Sequence, residues 1–141
     1  MISVIIPFYN SDKTLKECLD SVFNNKFGDF EVITVSDKST DGSIDIAKNY
    51  NCKIIELDDN KGPAFARNTG ANFASGNILF FLDSDCVIKN DALFNVDKTF
   101  RDKEINVLQG VYNHKPNYKS ISTQYQQSFY CYFAWHEYLS Y

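Results

Sequence analysis

The chain is predicted to fold as a three-layer α/β/α domain on a mainly parallel sheet, and three observations carry that prediction. Four short apolar runs, at 2–6, 30–35, 53–57 and 77–82, alternate with stretches of helical periodicity, the pattern of βαβ units with right-handed crossovers. Each run is followed by a polar cluster: Phe8-Tyr9-Asn10, Ser36-Asp37-Lys38-Ser39, Asp58-Asp59-Asn60-Lys61-Gly62 and Asp83-Ser84-Asp85. In parallel sheets ligands bind beyond the carboxyl ends of the strands, so these clusters are expected to share one edge and one site. The length of 141 residues and the 44% hydrophobic content suit one domain, 1–141, with its own core.

The elements follow in order. The run 2–6 is rich in β-branched residues and stops at Pro7, as a buried strand would. Ser11 or Asp12 can cap the next helix, in which Leu15, Cys18, Leu19, Val22 and Phe23 fall on one face. The second strand is 30–35, and Asp41-Gly42-Ser43 opens a second helix carrying Ile44, Ala47 and Tyr50. A third strand spans 53–57. After Gly62-Pro63, residues 64–74 read as a helix with alanines and phenylalanines inward and Arg67 and Asn68 near its start. The fourth strand, 77–82, runs into Asp83. A helix at 90–100 turns Ala92, Leu93, Val96 and Phe100 inward, and 106–112 reads as a strand. The segment 124–141 holds Tyr125, Phe129, Tyr130, Tyr132, Phe133, Trp135, Tyr138 and Tyr141 and reads as an aromatic helix. The expected division is a βα core at 1–113 and a helical tail at 114–141.

The net charge of −4 and pI near 5.0 exclude a nucleic-acid surface, which needs clustered Lys and Arg. An anionic ligand would therefore need a local cation. Cys18, Cys52, Cys86 and Cys131 stand far apart without C-x-x-C pairing, so zinc and dithiol redox sites are not indicated and reduced thiols are expected. The N-terminus shows no basic leader or export-length apolar stretch, and no segment reaches the roughly 20 apolar residues of a membrane span. A cytoplasmic location is expected, with membrane-surface association open. The aromatic tail is expected to pack on the sheet or to form a homodimer contact, with a bilayer interface as the alternative.

Asp83 and Asp85 stand one residue apart at a strand terminus, so their side chains are expected to project together and to repel unless a cation lies between them. Mg²⁺ or Mn²⁺ takes such oxygens and leaves its other positions to water and phosphate. Taken alone, the pair reads first as capping acids for the turn that follows. Arg67 alone reads as a solvated helix charge, Asp37 as a turn acid, Tyr9 as core packing and Asn10 as turn chemistry. What changes the reading is that they occur together.

The segments VIIPFYN at 4–10, VSDKSTDGS at 35–43, NKGPAFARNTGANFASG at 60–76 and ILFFLDSDC at 78–86 resemble, in order, spacing and content, the nucleotide-sugar half of a family 2 glycosyltransferase. The resemblance implies a Rossmann-like GT-A fold, here C-terminally truncated. It also implies metal-dependent, inverting transfer of a sugar from a nucleotide-diphosphate sugar, UDP-linked, to a glycan or lipid-linked acceptor, with Mn²⁺ or Mg²⁺ as cofactor. It places Pro7 and Tyr9 along the nucleobase and ribose and Asp37 on the base edge, usually a uracil. Lys61, Gly62 and Arg67 then lie near the nucleotide and its phosphates, Asp83 approaches the ribose or the metal, and Asp85 is the principal metal ligand. Asn10 and Ser84 complete the nucleotide-binding set. Ser36-Asp37-Lys38-Ser39 stands where the family usually has D-D-G-S, which keeps Asp37 but bears on base selectivity. The family's general base lies well downstream of the D-x-D, and is expected beyond Tyr141. The chain is thus expected to carry the donor-binding half of a transferase.

Two other readings stand beside this one. The chain can be a non-catalytic nucleotide-sugar-binding fragment or subunit. Asp83-Ser84-Asp85-Cys86-Val87 also resembles locally the motif of haloacid-dehalogenase-like phosphatases, whose first Asp is a nucleophile and second an acid. Nicotinamide binding lacks the G-x-G-x-x-G after the first strand.

Overall fold

A computed structural model describes residues 1–103 and 105–110, and the backbone of 131–135. Among the described residues ten elements follow one another: β1 (Ile2–Phe8), α1 (Leu15–Phe23), β2 (Phe30–Ser36), α2 (Ser43–Ala47), β3 (Lys53–Glu56), α3 (Pro63–Asn72), β4 (Ile78–Phe81), α4 (Ala92–Asp102), β5 (Val107–Gly110) and β6 (Cys131–Trp135). The sheet order is β3-β2-β1-β4-β6-β5. β1 pairs in parallel with β2 and β4, β2 in parallel with β3, and β6 runs antiparallel between β4 and β5. The predicted mainly parallel α/β fold is the observed one.

β1 is central, and all seven of its residues are buried, which is why it reads as an unbroken apolar run rather than an alternating one. Ile2, Val4, Ile6 and Phe8 face a core shared with Leu15 and Leu19 of α1, Ala47 of α2 and Leu93 and Phe100 of α4. Ile33 and Val35 of β2 pack on the other face with Ala66 of α3. Helices therefore cover both faces. Each fully buried Leu or Ile contributes about 1.5–3 kcal/mol relative to exposure, so the central strands anchor the domain.

Four details differ from the sequence prediction. β1 runs through Pro7 to Phe8, because the carbonyls of Ile5 and Phe8 point to β4 and β2 in turn, which aims the Pro7 nitrogen at the β4 side, beyond the last β1–β4 pair, Ile5 with Phe81. The missing N–H removes no ladder bond. α1 begins at Leu15, with Thr14 as its N-cap residue, and the predicted caps serve elsewhere. Ser11 supplies its carbonyl to the N–H groups of Thr14 and Leu15.

On α3 only Ala66 and Gly70 are buried, whereas Phe65 and Phe73, expected inward, are 44% and 48% exposed. The helix lies too close to the sheet for larger side chains: a Cβ on Gly70 would stand 2.5 Å from Ile5 Cγ2 and 3.2 Å from Val35 Cγ2. The displaced rings are covered instead by ammonium groups, Lys61 Nζ 4.7 Å from the Phe65 centroid and Lys53 Nζ 4.4 Å from that of Phe73.

Within the expected helical tail, Cys131–Trp135 is a strand rather than a helix. Its aromatic residues suit a strand once partners are present, and the ladders offered by β4 on one side and β5 on the other supply them. The remainder of 114–141, with the expected dimer or membrane contact of its aromatic side chains, lies outside the described residues.

At the edge where β1 and β2 begin, Ser3 Oγ donates to Glu31 Oε1 at 2.5 Å, and Ser75 N–H donates to the same oxygen at 2.6 Å. Burial opposes ionisation of Glu31, but the Ser3 hydroxyl, the Ser75 and Gly76 N–H groups and Lys53 outweigh it and hold the carboxyl below its ordinary value. A depressed folded pKa means the stabilisation is complete above the unfolded value and is lost as pH falls through the folded one. Glu31→Gln is therefore expected to destabilise by about 1 kcal/mol at neutral pH, and the gap is expected to close as denaturation is followed down from pH 5 to pH 3. A gap that stays constant over that range would contradict the assignment.

Candidate functional site

The segments after β1, β2 and β4 converge with the start of α3 around one cleft of about 920 Å³. After β1, Asn10 adopts φ 49°, a left-handed conformation that Asn tolerates better than most residues. Its side-chain oxygen accepts the Thr40 N–H at 2.8 Å, and its own N–H donates to Ser39 Oγ at 3.1 Å. The next two residues are latched as well: Ser11 N–H donates to Ser43 Oγ at 2.8 Å and Asp12 N–H to Asp41 Oδ2 at 3.0 Å. Asp41 takes the Ser43 N–H on its other oxygen at 3.0 Å. Burial works against the Asp41 charge, yet the Ser43 hydroxyl and the N–H groups of Asp12, Ser43 and Asp41 itself keep its carboxyl below the usual value. The β1 and β2 loops thus form one wall.

Asp37, immediately after β2, is only 4% exposed. Its Oδ1 accepts the Lys61 N–H at 2.7 Å and its Oδ2 the Gly62 N–H at 2.8 Å. Gly62 has φ 86° and ψ 163°, a region open essentially to glycine alone. Lys38 stands at φ 62°. This explains in backbone terms why a glycine usually follows the acid in the resembling motif. The Lys38 ammonium reaches Asp59 Oδ1 at 3.1 Å, an exposed pair that contributes little.

After β4, Asp83 is ion-paired with the Arg67 guanidinium of α3, and both side chains are about one-third exposed. Ser84 Oγ lies 2.9 Å from Ser11 Oγ, tying the β4 loop back to the β1 loop. Asp85 is exposed, and the Cys86 thiol donates to its Oδ1 at 3.6 Å. Ligand atoms of Asp83, Asp85 and Cys86 lie within 4.8 Å of one another. The two acids therefore do project together.

Of the residues singled out by sequence, Pro7, Tyr9, Asn10, Asp37, Arg67, Asp83, Ser84 and Asp85 all line this cleft. Lys61 and Gly62 do not line it: they contribute main-chain N–H groups to Asp37, while the Lys61 ammonium lies over Phe65. Sequence reasoning missed Phe8, Ser11, Asp12, Lys13, Thr14, Asp41, Pro63 and Ala66 in the lining. Asp41 was within reach, since it belongs to the same polar run as Asp37. Lys13 carried no signal to separate it from a solvated helix-end charge. Among the described lining residues, acids outnumber cations five to two, so a diphosphate entering here needs additional positive charge.

A mainly parallel sheet with a cleft of acids beyond the carboxyl ends of its strands, and Arg67 of α3 beside them, defines an α/β domain with its ligand site at that edge. The family model for glycosyl transferase family 2 matches residues 3–139, and the chain belongs to that family. It is 43% identical over 100 residues to a poly(ribitol-phosphate) beta-glucosyltransferase of Bacillus spizizenii, a match covering 65% of this chain and 16% of that protein. S. aureus TarS 1-349 in complex with UDP-GlcNAc superposes with a TM-score of 0.74 at 32% identity, covering 84% of this chain and 37% of that one. The mannosyltransferase PcManGT of Pyrobaculum calidifontis, in complex with GDP-Man and Mn²⁺, does so with a TM-score of 0.74 at 26% identity, covering 79% and 35%. The fold is GT-A. The chain spans well under half the length of each of these proteins. The phosphatase reading falls with the family assignment, and Asp83, its expected nucleophile, is engaged by Arg67. No helix among the described residues is long and apolar enough to cross a membrane.

Proposed function

We propose that this chain binds a nucleotide-diphosphate sugar, UDP-linked, as the donor part of a metal-dependent, inverting glycosyltransferase acting on a glycan or lipid-linked acceptor. The observation that carries this reading is that Asp37, Arg67, Asp83 and Asp85 line one cleft at the carboxyl edge of parallel strands. Tyr9, half exposed on the rim, offers a ring face for base or ribose, with Pro7 and Asn10 beside it. Each Asp37 oxygen has a lone pair beyond the main-chain bond it accepts, enough for one base N–H. The proteins named above support the donor class: one is bound to UDP-GlcNAc and the more distant one to GDP-Man.

The donor set suits Mn²⁺ or Mg²⁺. Asp85 presents a solvent-facing carboxylate and Asp83 a second one, both hard oxygen ligands, with the Cys86 sulfur nearby. When bound, the ion supplies positive charge to the leaving diphosphate as the sugar–phosphate bond breaks. Arg67 holds Asp83 in place through one guanidinium nitrogen and has further N–H groups for a phosphate oxygen. The Ser84–Ser11 hydrogen bond ties down the segment that carries the two acids, and all three of its residues line the cleft.

The test is a thermal-unfolding panel of UDP, GDP, ADP and dTDP, each with and without Mn²⁺. UDP with Mn²⁺ is expected to raise stability by about 2.7 kcal/mol at a hundred times its Kd, more than the other nucleotides at equal concentration. Equal stabilisation by all four would refute the base preference. No stabilisation by any of them would refute donor binding.

A further inference from the structure

Asp37 can do more than face a base. We propose that it is a positioning residue for the diphosphate end of the cleft, acting through the loop that starts α3. This rests on the nucleotide-sugar reading above.

Both carboxylate oxygens of this nearly inaccessible side chain are committed to adjacent main-chain donors, the N–H groups of Lys61 and Gly62. The two residues are themselves at the surface, Lys61 exposed and Gly62 partly so, so the carboxylate is an internal anchor for an external loop. Gly62 then turns the chain through a backbone shape that other residues adopt only under strain, and Pro63 takes the first helical position with φ already set. One turn later the same helix delivers Arg67 to Asp83, two residues before Asp85. Two hydrogen bonds and the short stretch of chain from Gly62 to Arg67 thus join the buried acid to the guanidinium.

These two bonds tie the start of α3 to the end of β2, and the Arg67–Asp83 ion pair ties its second turn to the segment after β4. The seating of Ala66 and Gly70 on Ile5, Ile33 and Val35 sets the height of the helix above the sheet. The close approach at Gly70 holds the middle of the helix, and the two hydrogen bonds hold its start. A shift of one residue along a helix is about 1.5 Å, enough to take Arg67 out of hydrogen-bond range of Asp83. Asp37→Asn keeps the size and one acceptor but turns an NH₂ donor toward an N–H donor, so one bond becomes a repulsion.

Pyrophosphate with Mn²⁺ is the discriminating probe, because it has neither base nor sugar. By calorimetric titration of the full chain, Asp37→Asn is expected to weaken Mn²⁺–pyrophosphate and Mn²⁺–UDP binding together, by about tenfold or more. Glu31→Gln, at the opposite end of the sheet, is expected to leave both affinities unchanged and so controls for general destabilisation. Loss of UDP affinity in Asp37→Asn with pyrophosphate affinity intact overturns the proposal and leaves Asp37 as a base contact alone. A wild-type chain that binds neither ligand overturns the nucleotide-sugar reading and this one with it. Wild-type hydrogen exchange provides a check that does not depend on the variant folding: the Lys61 and Gly62 amides are expected to exchange slowly despite their surface position. Exchange at the rate of an unstructured peptide overturns the anchor.

Discussion

Replacing Asp85 by alanine is expected to abolish the Mn²⁺-dependent stabilisation by UDP while leaving the ligand-free protein nearly as stable as the wild type. Asp85 is exposed, and its carboxylate takes a long contact from the Cys86 thiol, so little folding energy is at stake. Surface changes of this kind usually stay within about 0.5 kcal/mol. Asp83 is the less informative target, because its removal also strands the Arg67 guanidinium in a cleft wall. At a UDP concentration a hundred times the wild-type Kd, the wild-type gain of about 2.7 kcal/mol is expected to fall to near zero in the variant. Thermal unfolding of both proteins in a two-by-two design, with and without metal and nucleotide, reads the effect. A variant that keeps the full metal-dependent gain would remove Asp85 from the proposed cation site.

The second large effect is expected at Gly70, which touches no proposed ligand. Alanine there would bring a methyl group to 2.5 Å from Ile5 Cγ2, and Ile5 is fully buried in the central strand with no room to retreat. Alanine gains up to about 1 kcal/mol of helix propensity over glycine. Overpacking of this severity costs about 1–3 kcal/mol, so the clash prevails and α3 must lift. Gly70→Ala is therefore expected to lower Tm by several degrees and, because Arg67 rides on the same helix, to weaken nucleotide binding as well. Gly28→Ala is the control: nothing lies within 4 Å of its added Cβ, and its stability is expected to be equal or slightly higher. Urea denaturation of the two variants side by side checks the ranking. A Gly70→Ala protein as stable as Gly28→Ala would mean that the helix does not sit against β1 and β2 as described.

These two positions also mark how far the sequence could be read. Asp85 was legible because strand chemistry is local: an apolar run ending in alternate acids fixes both the strand and the direction of its side chains. The same holds for β1, whose unbroken apolar run reflects burial on both faces, and for α1, whose Leu15, Cys18, Leu19 and Val22 are all buried as their spacing predicts. The seating of α3 was not legible. Phe65 and Phe73 look like inward residues in any periodicity argument, and only the close approach at Gly70 shows that the sheet has no space for them. The second function of Asp37 was hidden for the same reason, since its partners are main-chain groups more than twenty residues away that any sequence would supply. The strand Cys131–Trp135 was out of reach because its state is decided by two neighbours rather than by its own aromatic composition.

That last strand has a consequence for assembly. β5 precedes β6 in the chain but lies outside it in the sheet, so β5 has no ladder to join until β6 has docked on β4. The parallel unit from β1 to β4 can close by successive helical crossovers, the last of them passing over β2 and β1, whereas β5 must wait for β6, which follows it in the chain. During synthesis, β4 therefore emerges from the ribosome with one flank bare, an open template for unwanted pairing until residue 135 has been made. Slow translation through the intervening segment is then a hazard for yield rather than for the finished protein.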